Sequence, residues 1–168
     1  LMQADATIAP ADRRRARGGF AAGKGRFVER DGVTFDGLTV LVVDDEPDSR
    51  SLIRRLLEDR EARVFTAASA SEAIEELRTR APDVLISDIG MPGEDGYALI
   101  RRVRAMDSAA AEIPAIALTA YARIEDRLRA LHAGYQHHLA KPVEPVELIT
   151  MLGDIVRQQT QAASGAAS

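Results

Sequence analysis

The sequence predicts an α/β fold: a doubly wound, flavodoxin-like five-stranded parallel sheet of order 2-1-3-4-5 with helices on both faces. Three observations predict it. Short apolar runs alternate five times with stretches of helical period. The run Val40-Leu41-Val42-Val43 is apolar at every position, as in a strand covered on both faces. It runs straight into Asp44-Asp45-Glu46, and a third run, Val84-Leu85-Ile86, leads to another carboxylate, Asp88. Alternation of this kind implies right-handed crossovers. In strand order 2-1-3-4-5 the switch point lies beside strands one and three, which sets Asp44 and Asp45 next to Asp88.

The elements follow in order. Leu38 to Val43 is the first strand. Asp48 to Arg60 is a helix with Leu52, Ile53, Leu56 and Leu57 on one face and Pro47 in its first turn. Ala62 to Ala67 is the second strand. Ser69, with Glu72 three residues on, forms a capping box that opens a helix whose buried stripe is Ala73, Ile74, Leu77 and Ala81. Pro82 ends it. After the third strand and the loop Ile89 to Glu94, Asp95 or Gly96 starts a helix carrying Tyr97, Leu99, Ile100 and Val103. Ala115 to Thr119 is the fourth strand. Arg123 to Ala133 is a short helix, with Ile124, Leu128 and Leu131 expected inward and Gly134 as its C′ residue. Tyr135 to Ala140 is the fifth strand, and Glu144 to Gln158 the last helix, with Leu148, Ile149, Leu152, Ile155 and Val156 apolar.

The flanks read differently. Residues 1–36 are rich in Ala, Gly, Asp and Arg, hold the basic cluster Arg13-Arg14-Arg15-Ala16-Arg17, and read as a solvated linker. Phe20, Phe27, Val28, Val33 and Phe35 are more apolar than a linker needs, so part of the segment is expected to pack on a neighbour. The domain proper is 37–158, and the low-complexity tail 159–168 reads as disordered. Hydrophobic residues make up 46% of the 168, enough for a core, and aliphatic side chains must fill it because aromatics are 4% and Trp is absent. The absence of cysteine excludes disulfides, thiolate zinc sites and thiol catalysis. A net charge of −4 gives no support for nucleic-acid binding. No apolar run reaches a membrane span, and the start lacks the apolar core of a secretory signal, so a cytoplasmic location without membrane contact is the expectation.

Clustered carboxylates repel one another and raise each other's pKa. A hard divalent cation such as Mg²⁺ removes that cost. An acidic turn that caps the next helix explains Asp44-Asp45-Glu46 equally well when it is taken alone. Taken together, Val-Val-Asp44-Asp45-Glu46, Asp88 with Met91-Pro92-Gly93 and Asp95-Gly96, Leu118-Thr119-Ala120 and Lys141-Pro142 resemble the response-regulator receiver domain, in family order and spacing, over roughly Gly37 to Gln158.

The resemblance implies a phosphoryl-transfer site. Asp88 would accept the phosphoryl group of a phosphohistidine. Asp45 would bind Mg²⁺ directly, Asp44 mainly through water, and Asp88 and the Gly90 carbonyl would complete the protein ligands. Thr119 and Lys141 would contact the phosphoryl oxygens, and Lys141-Pro142 would be a cis peptide. The implied partners are a histidine kinase or a histidine phosphotransfer domain, with a homodimer through the last helices left open. The runs Leu118 to Arg123 and Gln136 to Glu144, and the basic lead, look most like the C-terminal receiver of a hybrid histidine kinase; the chain ends soon after the last helix without an effector segment. One position departs from the family: His138 stands where receivers usually carry the Tyr or Phe of the switch, and an imidazole there would make the coupling weaker or pH-sensitive. His132, His137 and His138 do not suggest a metal site, since adjacent strand residues point to opposite faces. Two other readings compete. A pseudo-receiver would bind partners without phosphorylation, against which the intact acids, Thr119 and Lys141 argue. An aspartyl-phosphate hydrolase would need an acid two residues after the nucleophile, where this chain has Gly90.

Overall fold

The five apolar runs become five parallel strands: β1 (Thr39–Val43), β2 (Arg63–Ala67), β3 (Val84–Asp88), β4 (Ala115–Thr119) and β5 (His137–Ala140). The structure, a computed structural model, describes residues 33–120 and 123–167. The strand order is β2-β1-β3-β4-β5, as the sequence predicts. The helices between them are α1 (Pro47–Glu58), α2 (Ala70–Arg80), α3 (Gly96–Arg104), α4 (Ile124–Ala133) and α5 (Pro145–Ala167), with a 3₁₀ turn at Ala109–Glu112 before β4.

Why the sheet is covered on both faces is visible in β1. Val40 and Val42 pack with Ile53 and Leu57 of α1 and Leu148, Leu152 and Ile155 of α5. Leu41 and Val43 point the other way, onto Ala73, Ile74 and Leu77 of α2 and Leu99, Ile100 and Val103 of α3. Successive strand residues alternate between faces, so a strand buried on both must be apolar throughout. Every residue of β3 and β4 is buried.

The helix ends follow local chemistry. Ser69 caps α2 by accepting from the Glu72 amide at 3.2 Å, and the Glu72 carboxylate reaches back to the Ala68 amide at 3.5 Å. Asp95 caps α3 by accepting from the Ala98 amide at 2.9 Å. Gly134 ends α4 with φ +132°, a region closed to most side chains.

Several expectations are corrected. Ile124, Leu128 and Leu131 are not inward: they are 71%, 50% and 54% exposed, and α4 instead buries Ala130 and Ala133. Small residues let this helix lie close to the sheet, and its larger apolar side chains are left outside. Leu52 of α1 is likewise half exposed. The last helix does not stop at Gln158 but continues through Ala167, so the tail expected to be disordered extends α5. β5 begins at His137 rather than Tyr135. Within the segment 1–36, Val33 and Phe35 pack on the domain, as their apolar character predicts. Phe35 is 2% exposed in the α1/α5 core, its amide donates to the Arg60 carbonyl at 2.7 Å, and the Arg60 guanidinium donates to the Val33 carbonyl at 2.9 Å. The basic cluster Arg13 to Arg17, with Phe20, Phe27 and Val28, lies outside the described residues. No described helix is long and apolar enough to cross a membrane.

Candidate functional site

Parallel pairing of β1 with β3 sets Val43 opposite Ser87, so the next residues along, Asp44 and Asp88, stand side by side at the carboxyl end of the sheet. Carboxylate oxygens of Asp44, Asp45 and Asp88 all lie within 4.8 Å of one another. Asp44 is wholly buried and Asp88 is 6% exposed. Among the described residues this is the one group of acids and histidines with metal-binding geometry; His132, His137 and His138 form none.

The cluster is held from three sides. From the turn after β1, the Glu46 amide donates to Asp44 Oδ1 at 2.9 Å. From the loop after β3, the Gly90 amide donates to Asp88 Oδ1 at 3.2 Å. From the loop after β5, Lys141 reaches across β4: its Nζ stands 2.9 Å from Asp44 Oδ2 and 3.3 Å from Asp88 Oδ2. The Lys141 amide donates to the Thr119 carbonyl at 2.7 Å, and the peptide to Pro142 is cis. The cleft above these groups has a volume of about 560 Å³ and is lined by Asp45, Asp88, Gly90, Ala120, Lys141 and, from α1, Leu52 and its neighbours.

The charges explain the titration. Burial pushes the Asp88 carboxyl above the usual carboxylate range; the Lys141 ammonium opposes this, the Asp44 charge adds to it, and the Gly90 amide opposes it. Burial alone pulls Lys141 down, but its hydrogen bond to Asp44 and the charges of Asp88 and Asp44 outweigh burial and leave it raised. Three carboxylates against one ammonium leave a net charge near −2 in a largely buried pocket. That donor set, all hard oxygen with one charge partly offset, fits a small divalent cation such as Mg²⁺.

Of the residues singled out from sequence, Asp44, Asp45, Asp88, Gly90 and Lys141 converge. Thr119 does not line the cleft: it is 5% exposed, and its Oγ1 lies 2.8 Å from Nε2 of His138. Sequence reasoning missed two supporting contacts. A side chain at Gly96 is sterically excluded, since a Cβ there falls 2.5 Å from the Asp88 carbonyl oxygen and 2.7 Å from Ile89 Cα. The buried Tyr135 hydroxyl donates to the Gly96 carbonyl at 2.8 Å, tying the connection that leads into β5 to the start of α3. The Asp95-Gly96 pair was the available signal for the first; nothing local signalled the second.

The model of the response regulator receiver domain family matches residues 40–153. The chain belongs to this family. Among sequence relatives, this receiver is 49% identical over 119 residues to an uncharacterized 14.6 kDa protein from Leptolyngbya boryana, covering 71% of this chain and 90% of the relative. It is 36% identical over 132 residues to the response regulator Rre1 of Synechocystis, covering 78% of this chain and 56% of that protein. The receiver thus spans nearly all of the first relative and just over half of the second. Among solved structures, it matches the chemotaxis protein CheY4 of Vibrio cholerae with a TM-score of 0.67 and 31% identity, over 70% of this chain and 98% of that one. The receiver domain of a signal transduction histidine kinase from Syntrophus aciditrophicus matches with a TM-score of 0.65 and 29% identity, over 71% and 90%.

Proposed function

We propose that this receiver is a phosphoacceptor of a two-component phosphorelay, taking a phosphoryl group from a phosphohistidine onto Asp88. The observation that carries the reading is the buried acid cluster with Lys141 bridging Asp44 and Asp88. An Asp88 carboxylate oxygen attacks phosphorus in line, the P–N bond to the donor imidazole breaks with its electron pair leaving on nitrogen, and an acyl phosphate forms. Two anions must meet for this to happen. Lys141 supplies a fixed positive charge at the reacting oxygen, already in place before the donor arrives. Asp44, Asp45, Asp88 and the Gly90 carbonyl would hold Mg²⁺, whose charge offsets that of the equatorial phosphoryl oxygens. The exposed Ala120 leaves the cleft open, and Thr119 stands at the end of β4 to donate its hydroxyl once a phosphoryl group is present.

The donor is a histidine kinase or a histidine phosphotransfer domain. Leu52, 51% exposed at the rim of the cleft on α1, offers that partner an apolar contact beside Asp88. Phosphorylation then biases the domain between two conformations through the new charge at Asp88. The same reading places the module in the cytoplasm. Its likeness both to a chemotaxis protein and to the receiver of a histidine kinase fits either a separate regulator or the C-terminal part of a hybrid kinase.

The test is incubation with acetyl phosphate and Mg²⁺ followed by intact-mass measurement. One added phosphoryl group is expected on the native chain and none on Asp88→Asn. A native chain that stays unmodified and does not bind beryllofluoride overturns the reading in favour of a receiver that only binds partners.

A further inference from the structure

Asp44 is bonded at each of its polar groups. Its amide donates to the Ala67 carbonyl at 3.1 Å, Oδ1 accepts from the Glu46 amide at 2.9 Å, and Oδ2 accepts from Lys141 at 2.9 Å. Its carbonyl accepts from the Arg50 guanidinium at 2.7 Å. Arg50 does not line the cleft. It stands in the first turn of α1, and its own amide donates to the Glu46 carbonyl at 3.1 Å. Main chain and side chain of one residue thus close the turn Asp44-Asp45-Glu46 from both ends. The Asp44 carbonyl and the Asp45 amide share one rigid peptide plane. Holding that plane removes a backbone rotation that would swing Asp45 away. Such a rotation has a driving force, because Asp45 brings a third negative charge to within 4.8 Å of Asp44 and Asp88.

We infer that Arg50 is a positioning residue for the cation site: its bond to the Asp44 carbonyl fixes the Asp44–Asp45 peptide and keeps the Asp45 carboxylate in the cluster that Mg²⁺ would occupy. The inference rests on the phosphoacceptor reading and deepens its metal site. Two effects of the guanidinium have opposite signs. As a nearby cation it lowers the negative potential at the acids and opposes a divalent ion. As an anchor it keeps the donor set assembled and favours that ion. Groups that orient metal ligands without touching the metal are worth about 10–100-fold in affinity. The Arg50 charge is partly solvated and directed at a carbonyl, so screening leaves the anchor dominant.

The experiment measures the Mg²⁺ Kd of the full chain by calorimetry, with thermal unfolding in EDTA as the check on folding. Arg50→Met should bind Mg²⁺ about tenfold more weakly, although it removes a positive charge beside an anionic site. Arg50→Lys should stay within about threefold of the native chain, because the contact is a single bond rather than a two-pronged fork. Leu57→Val trims a buried residue two turns along the same helix, so it should lower Tm and leave the Kd unchanged. A Kd for Arg50→Met equal to the native one, or tighter, overturns the inference, since the guanidinium would then act only as a charge. Equal weakening in Leu57→Val overturns it as well, since affinity would merely follow stability. If Arg50→Met does not fold, Arg50→Gln takes its place in the same comparison. A native chain that binds no Mg²⁺ overturns the metal site of the phosphoacceptor reading, and this inference with it.

Discussion

Replacing Asp45 by Asn should make the metal-free domain more stable while removing what Mg²⁺ adds. Carboxylate oxygens of Asp45, Asp44 and Asp88 lie within 4.8 Å of one another. At that separation a pair of like charges repels by about 0.9 kcal/mol in bulk water and about 3.5 kcal/mol at the effective dielectric of a protein site. Asp45 is half-buried and falls between these limits, and it faces two such neighbours. Lys141 contacts Asp44 and Asp88 and offsets about one of those repulsions. The net relief on neutralising Asp45 is therefore about 1–2 kcal/mol, or a rise in Tm of about 3–8 °C for a domain of this size. Mg²⁺ should stabilise the native chain and leave the variant nearly unchanged. At a hundredfold excess over its Kd a ligand stabilises by about 2.7 kcal/mol, and only the native chain keeps the donor set to gain it. Thermal unfolding in EDTA and again in saturating Mg²⁺ should thus give an inverted order: Asp45→Asn higher in EDTA, the native chain higher in Mg²⁺. A variant that melts below the native chain in EDTA would show that the acids do not repel in the folded state and do not need a cation to offset them.

Gly96→Ala should destabilise the domain by about 1–3 kcal/mol or more and depress acetyl-phosphate labelling, because its Cβ collides with backbone at Asp88 and Ile89 rather than with a movable side chain; urea unfolding and intact mass check both. Leu128→Ser should cost under about 1 kcal/mol, whereas Leu118→Ala, in the buried centre of β4, should cost about 2–5 kcal/mol, and comparable losses from both would contradict the exposed position of the α4 stripe. His137 is held below its ordinary 6.5 by burial, with Asp154 partly opposing. The unfolded chain therefore takes up the proton first as pH falls, and stability is lost from about pH 6.5 down to the lowered folded value. Urea midpoints of the native chain should drop over that window more than those of His137→Gln, and parallel curves would contradict it.

The parts legible in the sequence share a physical reason. β1, β3 and β4 are buried on both faces, so their composition alone marks them, and the acids follow the last apolar residue because ligands collect at the carboxyl ends of such strands. Convergence of Asp44, Asp45 and Asp88 then follows from strand order. The α4 face was misread because an apolar stripe of helical period says only that one face avoids water. It does not say whether the sheet covers that face, and here Ala130 and Ala133 are the residues small enough to meet it. The end of α5 was misread because Gln159 to Ala163 carries no apolar periodicity, yet Gln and Ala are good helix formers and the helix runs on through them. Phe35 was visible as an anomaly in a linker, but its partner Arg60 lies beyond α1, a pairing that no local pattern announces. The Thr119–His138 contact joins two strands and was readable only as an odd residue at a familiar position.

The most direct measurement of the central claim is the chemical location of the phosphoryl group. After incubation with acetyl phosphate and Mg²⁺, borohydride reduction of the acyl phosphate and peptide mapping should place the reduced residue at Asp88 alone, with no label when EDTA replaces Mg²⁺. A label on Asp44, Asp45 or any residue outside the cleft, or one that forms equally well without a divalent cation, would contradict the account.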